Sequence, residues 1–322
     1  MLSVMVDPHN EGHRGFPPPY HHPIAASMTT IGFLACETTL PGSTARREDA
    51  FEHDLMIAAI QPALAARDWN LKVIDWEAPM DAFANVDLVM IGSSWNYWDK
   101  VEKFLAKLET LEAAGIRVCN AAEIVRWNIR KTYLSELAER GASTIPTLWL
   151  DQVNAEDANA AMDEFSCDKI VVKRQIGGGA EGQEMLERGQ IPDGWSFAHK
   201  AMIQPFLPSI AQTGELSLLF FGGTYSHCVR KLPRAGDYRI QSLYGGTEVT
   251  YEPTDEERAQ AAAIIAALPF EAPLYARIDM LANESGTLLL MEAELIEPYL
   301  YPEQGPLMGE TLAAAIAREL EV

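Results

Sequence analysis

The chain has 322 residues, 48% of them apolar and 22% charged, with 25 Lys+Arg against 46 Asp+Glu for a formal net charge of −21. That length fits two or three domains with a sizeable core. A mean hydropathy of −0.07, with no run near the roughly 20 apolar residues of a helical membrane span, and a charge that phosphate backbones repel leave neither membrane nor nucleic acid as an expected partner.

Residues 1–27 hold four of the seven histidines (His9, His13, His21, His22) and the tract Pro17-Pro18-Pro19. They lack the basic start and long apolar centre of a signal peptide. The segment reads as a disordered extension, with Met28 as a second candidate start and metal binding by the histidines as the minor alternative. From Met28 the pattern is α/β. Thr30–Ala35 is a short apolar strand, and Asp49–Ala66 reads as a helix with Phe51, Leu55, Ala59 and Ile60 on one stripe. Leu71–Trp76 and Val86–Gly92 are further strands, the second almost unbrokenly apolar, as a strand covered on both faces should be. Val101, Phe104, Leu105, Leu108 and Leu111 mark a helix, and Ile116–Cys119 the next strand. This succession predicts a small parallel-sheet domain over 28–122.

Glu123–Thr147 has a different texture. Asn128 is a candidate cap for a helix carrying Tyr133, Leu134 and Leu137 and ending at Gly141. Ile170–Lys173 is a strand that runs into Gly177-Gly178-Gly179-Ala180-Glu181-Gly182. Strands follow at Ala201–Phe206, Glu215–Phe221, Thr224–Val229, Leu274–Met280 and Thr287–Ala293, with Gly222-Gly223 as an antiparallel hairpin signal. Thr254-Asp255-Glu256-Glu257 is a capping box opening a helix to Leu268. A last helix spans Gly309–Leu320. The four cysteines (Cys36, Cys119, Cys167, Cys228) are far apart, without CxxC or finger spacing. This argues against zinc and disulfides and for a reducing, cytoplasmic location.

Three groups carry candidate chemistry. Lys173 ends an apolar strand before a loop with four glycines in six residues. Such a loop lets backbone N–H groups approach phosphates while the lysine supplies charge; a surface hairpin with a solvated lysine is the alternative. Neither GxxxxGK[ST] nor a helix-opening GxGxxG is present. Second, Asp279, Glu292 and Glu294 sit on two strands, and residues two apart share a face, so Glu292 and Glu294 project together. Carboxylates in apolar surroundings are costly unless paired or metal-bound, and three on neighbouring strands suit one or two Mg2+ ions. A solvent-facing strand edge is the competing reading. Third, Arg230, Lys231, Arg234, Arg239 and Arg277 concentrate positive charge beside those carboxylates, as phosphoryl transfer requires. A salt-bridged face accounts better for Arg234 than for Arg239. His227 and Cys228 are adjacent on a strand and face opposite sides, so they are no dyad. Trp95, Tyr97 and Trp98 either line an acceptor site or pack the N-terminal domain.

From about Glu123 to Pro298 these residues resemble the ATP-grasp superfamily, in its glutathione synthetase-like branch. Asp279…Glu292-Ala-Glu294…Pro298 looks like that family's Asp…Glu-x-Asn magnesium motif, with Glu294 in the Asn position. SSWNYWDKVEKFL, VRWNIRKTYLSELAERG, MIQPFLPSI, SHCVRKLPRAGDYRIQ, LYARIDM and LLLMEAELIEPYLY are closer still to the subgroup that includes the cyclo-ligase of D-cycloserine biosynthesis. Gly92 departs from an arginine frequent there, and Arg174-Gln175-Ile176 from a Pro-containing segment.

The resemblance implies an α/β (α+β) chain. An N-terminal Rossmann-like pre-ATP-grasp domain (28–122) would be followed by a small lid subdomain (123–200) and a large subdomain with the metal site (201–322). It implies that Lys131, Lys173, Gly178 and Gly179 grip ATP phosphates, and that Gln204, Pro205 and Phe206 in the hinge strand and Glu215 hold the nucleotide. Asp279, Glu292 and Glu294 would bind two Mg2+ ions, replaceable by Mn2+. Lys231, Arg239 and Gln241 would face the γ-phosphate and acyl phosphate, with Arg277 a further catalytic candidate. The implied activity is an ADP-forming ligation of a small-molecule carboxylate and an amine, linear or cyclic, by a chain that is a homodimer or homotetramer. A peptide- or protein-modifying ligase and a non-catalytic nucleotide binder are the alternatives.

Overall fold

The structure, a computed structural model, describes residues 28–177, 182–234, 236–240 and 245–321. The expected N-terminal extension 1–27, Gly178, Gly179 and Gln241 lie outside these residues. In chain order the first elements are β1 (Thr30–Ala35), α1 (Phe51–Ala65), β2 (Asn70–Asp75), β3 (Leu88–Ser93), α2 (Val101–Ala113) and β4 (Arg117–Cys119). Their strands form one parallel sheet of order β2-β1-β3-β4. Every residue of β3 is buried, which is why it reads as an apolar run rather than an alternation. Gly92 on β3 has a local cause: a Cβ there would lie 2.1 Å from the Phe33 ring. An arginine at this position would need Phe33 to move.

The helices α3 (Ala122–Asn128) and α4 (Tyr133–Glu139) lead into a small antiparallel sheet of order β5-β10-β7-β8. Its elements are β5 (Leu148–Leu150), β6 (Val153–Asn154), α5 (Ala155–Glu164), β7 (Lys169–Arg174), β8 (Glu184–Glu187), β9 (Ser196–Phe197) and β10 (Ala201–Pro205), with β6 and β9 paired separately. The expected elements omitted β5, β6, α5, β8 and β9. α5 is marked only by a capping box, in which Asn154 accepts from Asp157 N–H and the Asp157 side chain from Asn154 N–H.

After the short α6 (Ser209–Gln212) comes the large sheet of order β13-β12-β11-β14-β15, antiparallel throughout. Its strands are β11 (Glu215–Phe221), β12 (Thr224–Leu232), β13 (Thr247–Tyr251), β14 (Tyr275–Ala282) and β15 (Leu288–Glu294), with α7 (Asp255–Ala267) between β13 and β14. Gly222 and Gly223 join β11 to β12 with φ of 54° and 74°, the left-handed pair that a tight two-residue hairpin demands. The predicted Thr254–Glu257 capping box is present at α7. The last helix, α8 (Met308–Leu320), packs on α1 so closely that a Cβ at Gly309 would lie 2.3 Å from the Ala59 carbonyl oxygen. Its residues Leu312 and Ile316 share a core with Phe33 and Ile60 of the N-terminal sheet domain.

Asn128 is not the expected cap. It is the last residue of α3, buried, and its Nδ2 donates to the Ala293 carbonyl (2.8 Å) while its Oδ1 accepts from Leu295 N–H (3.1 Å). Thr132 occupies the N-cap of α4 and makes no side-chain cap. The reason is that β15 is an edge strand whose outer backbone groups need partners. Asn128 supplies two, and the Tyr133 hydroxyl accepts from Ala293 N–H (2.8 Å) and donates to its carbonyl (3.1 Å). Asn128→Ala should therefore cost about 2 kcal/mol, since two hydrogen bonds go and buried backbone groups are orphaned. Urea denaturation of the variant against the wild type measures this.

His227 and Cys228 do face apart. Cys228 belongs to the core between the large sheet and α7. The His227 ring packs against Gly305 and pairs with the Leu300 carbonyl (3.1 Å) and Ser226 hydroxyl (3.0 Å). Burial lowers its pKa to about 4. The unfolded chain therefore binds an extra proton between about pH 6.5 and 4, so stability must fall as pH drops through that window. The His227 share at pH 5 is about 2 kcal/mol. Thermal unfolding at pH 8 and pH 5 should show that acid loss in wild type and a smaller one in His227→Asn.

Candidate active site

The edge-strand clamp presents a row of carboxylates. In the β14–β15 register Arg277 opposes Glu294 and Asp279 opposes Glu292. All four side chains line one cavity of about 390 Å³, within the range of small-molecule sites. The cavity is walled also by Lys173 and Gln204 of the small sheet and by Trp95, Tyr97 and Trp98 of the N-terminal domain. Trp95 and Tyr97 both line the cavity and belong to the N-terminal core.

At the floor lies a buried ionic network. Asp279 accepts from Arg277 Nη2 (2.9 Å) and Nε (3.1 Å) and from the Ser217 hydroxyl, with Lys231 Nζ at 3.7 Å. Burial would raise its pKa, but Arg277 and Lys231 outweigh this and hold it below the usual carboxylate value. Lys231 pairs with Glu215 at 3.0 Å. Burial and Arg277 act to lower the Lys231 pKa, yet Asp279 and Glu215 prevail and raise it. Glu215 is 1% exposed and burial carries its pKa to about 7 against Lys231. Its Oε2 is buried and has no hydrogen-bond partner among the described residues, and the residue lines the cavity. Arg277 also pairs with Glu294, whose pKa burial raises to about 7. Lys131 pairs with Glu292.

Lys173 is different. Its Nζ donates to the neutral Gln204 Oε1 at 3.1 Å, and among the described residues no carboxylate comes within ion-pairing distance. Burial lowers its pKa, with Glu292 pulling the other way. A cation set into a cavity without a counter-ion is a place for an anion, and the surface-hairpin reading does not describe it. The hinge residues Gln204, Pro205 and Phe206 border the same cavity, and Phe206 N–H is already spent on the Lys169 carbonyl (2.9 Å).

The basic residues divide. Lys231, Arg239 and Arg277 line the cavity, whereas Arg230 stacks on Tyr251 with its guanidinium carbon 3.8 Å from the ring centroid. Strand alternation is the cause, since Arg230 and Lys231 are consecutive on β12. Arg239 corrects the expectation that a salt bridge suits it poorly: it pairs with Asp237 at 2.8 Å, and its hydrogen bonds pull the Asp237 carboxyl well below its ordinary value.

The three carboxylates expected to hold metal meet at one cavity but not at one point. Among the described residues, no three His, Cys, Asp or Glu side chains form a metal-holding group. Glu292 and Glu294 are 27% and 30% exposed and open to the cavity, while Asp279 is saturated by Arg277, Ser217 and Lys231. Oxygen donors of this kind fit Mg2+, which uses one or two carboxylates and completes its shell with water and phosphate. Glu292 and Glu294, each with one cationic partner and part of its surface open, meet that requirement; Asp279, buried and held by Arg277, Ser217 and Lys231 together, does so only by giving up several bonds. Sequence reasoning missed Glu248, Glu297 and Tyr301, which also line the cavity. Glu297 alone carried a signal, as a carboxylate just before Pro298 in the quoted stretch LLLMEAELIEPYLY.

With this geometry in hand, the relatives are informative. A family model described as the N-terminal domain of D-cycloserine synthetase DcsG matches residues 31–120. Cycloserine biosynthesis protein DcsG of Streptomyces lavendulae is 28% identical over 273 residues, which cover 78% of this chain and 89% of that protein. The crystal structure of D-cycloserine synthetase DcsG matches with a TM-score of 0.72 at 24% identity, covering 90% of this chain and 99% of that one. ATP-grasp ligase PsnB, complexed with a phosphomimetic variant of its minimal precursor, Mg and ADP, matches with a TM-score of 0.61 at 16% identity, covering 90% and 99%. The fold is thus the ATP-grasp fold, and the resemblance to the D-cycloserine subgroup is borne out.

Removing the Lys173 charge should separate stability from binding. Lys173→Met takes away an uncompensated cation, so the melting temperature should hold or rise, while ATP affinity falls at least about tenfold and adenosine affinity barely changes. Calorimetric titration with both ligands, beside a thermal melt, checks both signs.

Proposed function

We propose that this chain is an ATP-dependent carboxylate–amine ligase of the ATP-grasp type, forming an amide, open or cyclic, through an acyl phosphate and releasing ADP and phosphate. The observation that carries the reading is Lys173, a cavity-lining cation with no counter-ion among the described residues, in the same cavity as Glu292 and Glu294. A carboxylate is a poor acyl donor, and phosphorylation supplies its leaving group.

The proposed roles rest on the resemblance, supported for the described residues by the cavity they share. Lys173 and Lys131 would hold phosphate oxygens, Lys131 turning from Glu292 when the metal claims that carboxylate. Gly178 and Gly179 would close over the phosphates. Gln204, Pro205 and Phe206 would border the base, and Glu215 would help hold the nucleotide. Glu292 and Glu294, with Asp279, are the proposed ligands for two Mg2+ ions, Mn2+ substituting. When bound, Mg2+ would offset phosphate charge and polarise the transferring phosphoryl. Arg277 fixes the carboxylate row, and Arg239 and Lys231 would face the charge that spreads over the phosphoryl oxygens, effects worth a few kcal/mol each. No nucleophilic side chain is required.

Small-molecule acid and amine substrates are proposed, in keeping with a cavity of about 390 Å³. No helix among the described residues is long and apolar enough to cross a membrane. A cytoplasmic setting is proposed from four cysteines that are all free, and a homodimer or homotetramer from the resemblance.

Incubation with ATP, Mg2+ and a panel of amino acids should yield ADP and phosphate, with hydroxylamine trapping the activated acid as a hydroxamate. AMP and pyrophosphate would mean adenylation and overturn the mechanism. Glu292→Gln should lower turnover by about 100-fold or more with the melting temperature little changed.

A further inference from the structure

We infer that Glu297 is the subsite for the ammonium group of the amine substrate and the acceptor of its proton, an assignment that rests on the ligase reading above. Three glutamates at the end of β15 and just beyond it line the cavity: Glu292, Glu294 and Glu297. The first two have cations of their own, Lys131 and Arg277. Among the described residues, no Lys, Arg or His lies within ion-pairing distance of Glu297. Its polar neighbour is the hydroxyl of Tyr97, a residue of the N-terminal domain. The Glu297 backbone is tied to the same wall, its carbonyl accepting from Trp95 Nε1 at 3.0 Å. Trp95 and Tyr97 are each 7% exposed, so this wall is rigid and aromatic.

One carboxylate lacking a cation, backed by aromatic rings and open to a cavity, matches an alkylammonium. The carboxylate offers a charge-assisted hydrogen bond, while the Trp95 ring behind it already carries the Arg47 guanidinium, 5.2 Å from its centroid. An acid would be repelled there by three carboxylates and is better held toward Lys173 on β7. The charged and titratable groups facing Glu297 are Glu294 and Glu292 of β15, Lys131 between α3 and α4, Tyr97, and Tyr275 of β14. Burial raises the Glu297 pKa well above the usual value, and Glu294 and Glu292 add to it; a bound ammonium would offset both.

The step balances without a redox partner. The ammonium gives one proton to the Glu297 carboxylate and becomes a neutral amine. The nitrogen lone pair forms a bond to the carbonyl carbon of the acyl phosphate as the carbon–oxygen bond to phosphate breaks. Phosphate leaves with that electron pair and takes the second nitrogen proton, and Glu297 later returns its own to water.

Hydroxylamine separates this role from the earlier one, because it is a neutral nucleophile near pH 7 and needs neither an ammonium site nor a base. The probe is whichever amino acid releases most ADP with wild type, among the common L-amino acids, D-alanine and D-serine. Glu297→Gln should form hydroxamate within about threefold of wild type. Its amide formation without hydroxylamine should fall by about 100-fold or more, and Glu297→Asp should recover part of the loss. Equal loss of both reactions at an unchanged melting temperature, or loss of neither, overturns the assignment. If Glu297→Gln melts early, the Glu297→Asp comparison decides, and equal losses in it overturn the assignment too. A wild type that makes neither ADP nor hydroxamate with any of these amino acids overturns the ligase reading itself.

Discussion

The outer edge of β15, the last strand of the large sheet, is the constraint on which the site depends. At Leu290 the segment 143–145 runs alongside, the Ser143 carbonyl accepting from Leu290 N–H (2.7 Å) and the Leu290 carbonyl from Ile145 N–H (3.2 Å); beyond that point the outer backbone groups of β15 need side-chain partners. Asn128 and Tyr133 satisfy Ala293 and Leu295, and Asn120 Nδ2 donates to the Leu295 carbonyl at 2.6 Å. These three residues come from the end of the parallel-sheet region and the two helices after it. The same bonds therefore join the N-terminal half to the large sheet and hold Glu292 and Glu294 toward the cavity.

Charge is arranged around that row with one imbalance. The floor pairs Glu215 with Lys231, and Asp279 and Glu294 with Arg277. Buried ion pairs of this kind are poor sources of stability, because desolvation cancels most of their attraction. They do fix side-chain positions. Lys173 on one wall and Glu297 on another are left without ionic partners among the described residues, one a base and one a carboxyl group. A cavity preorganised in this way suits two substrates of opposite charge and a reaction that joins them.

Much of this was legible in local pattern. Apolar runs and 3.6-residue stripes located the parallel sheet and its helices, because burial on both faces leaves a continuous signal. Two-residue alternation was enough to place Glu292 and Glu294 on one face. The hairpin at Gly222-Gly223 and the capping box at Thr254 followed from backbone chemistry that only certain residues allow. Short edge strands such as β8, β9 and β13 were invisible, since few of their positions are buried and their residues carry little apolar signal.

Partnership lay beyond any such reading. Asn128 has the composition of a cap, and only the approach of β15, more than 160 residues later in the chain, makes it a clamp. Arg239 looked like a phosphate ligand and is also the partner of Asp237, two residues away. Lys173 and Lys131 are alike as residues, yet one has a carboxylate partner and the other a neutral amide. Residue type and spacing set which face a side chain occupies, because backbone geometry repeats every two or 3.6 residues. Which charges are compensated depends on distances between strands remote in sequence, and the packing of the sheets alone decided those.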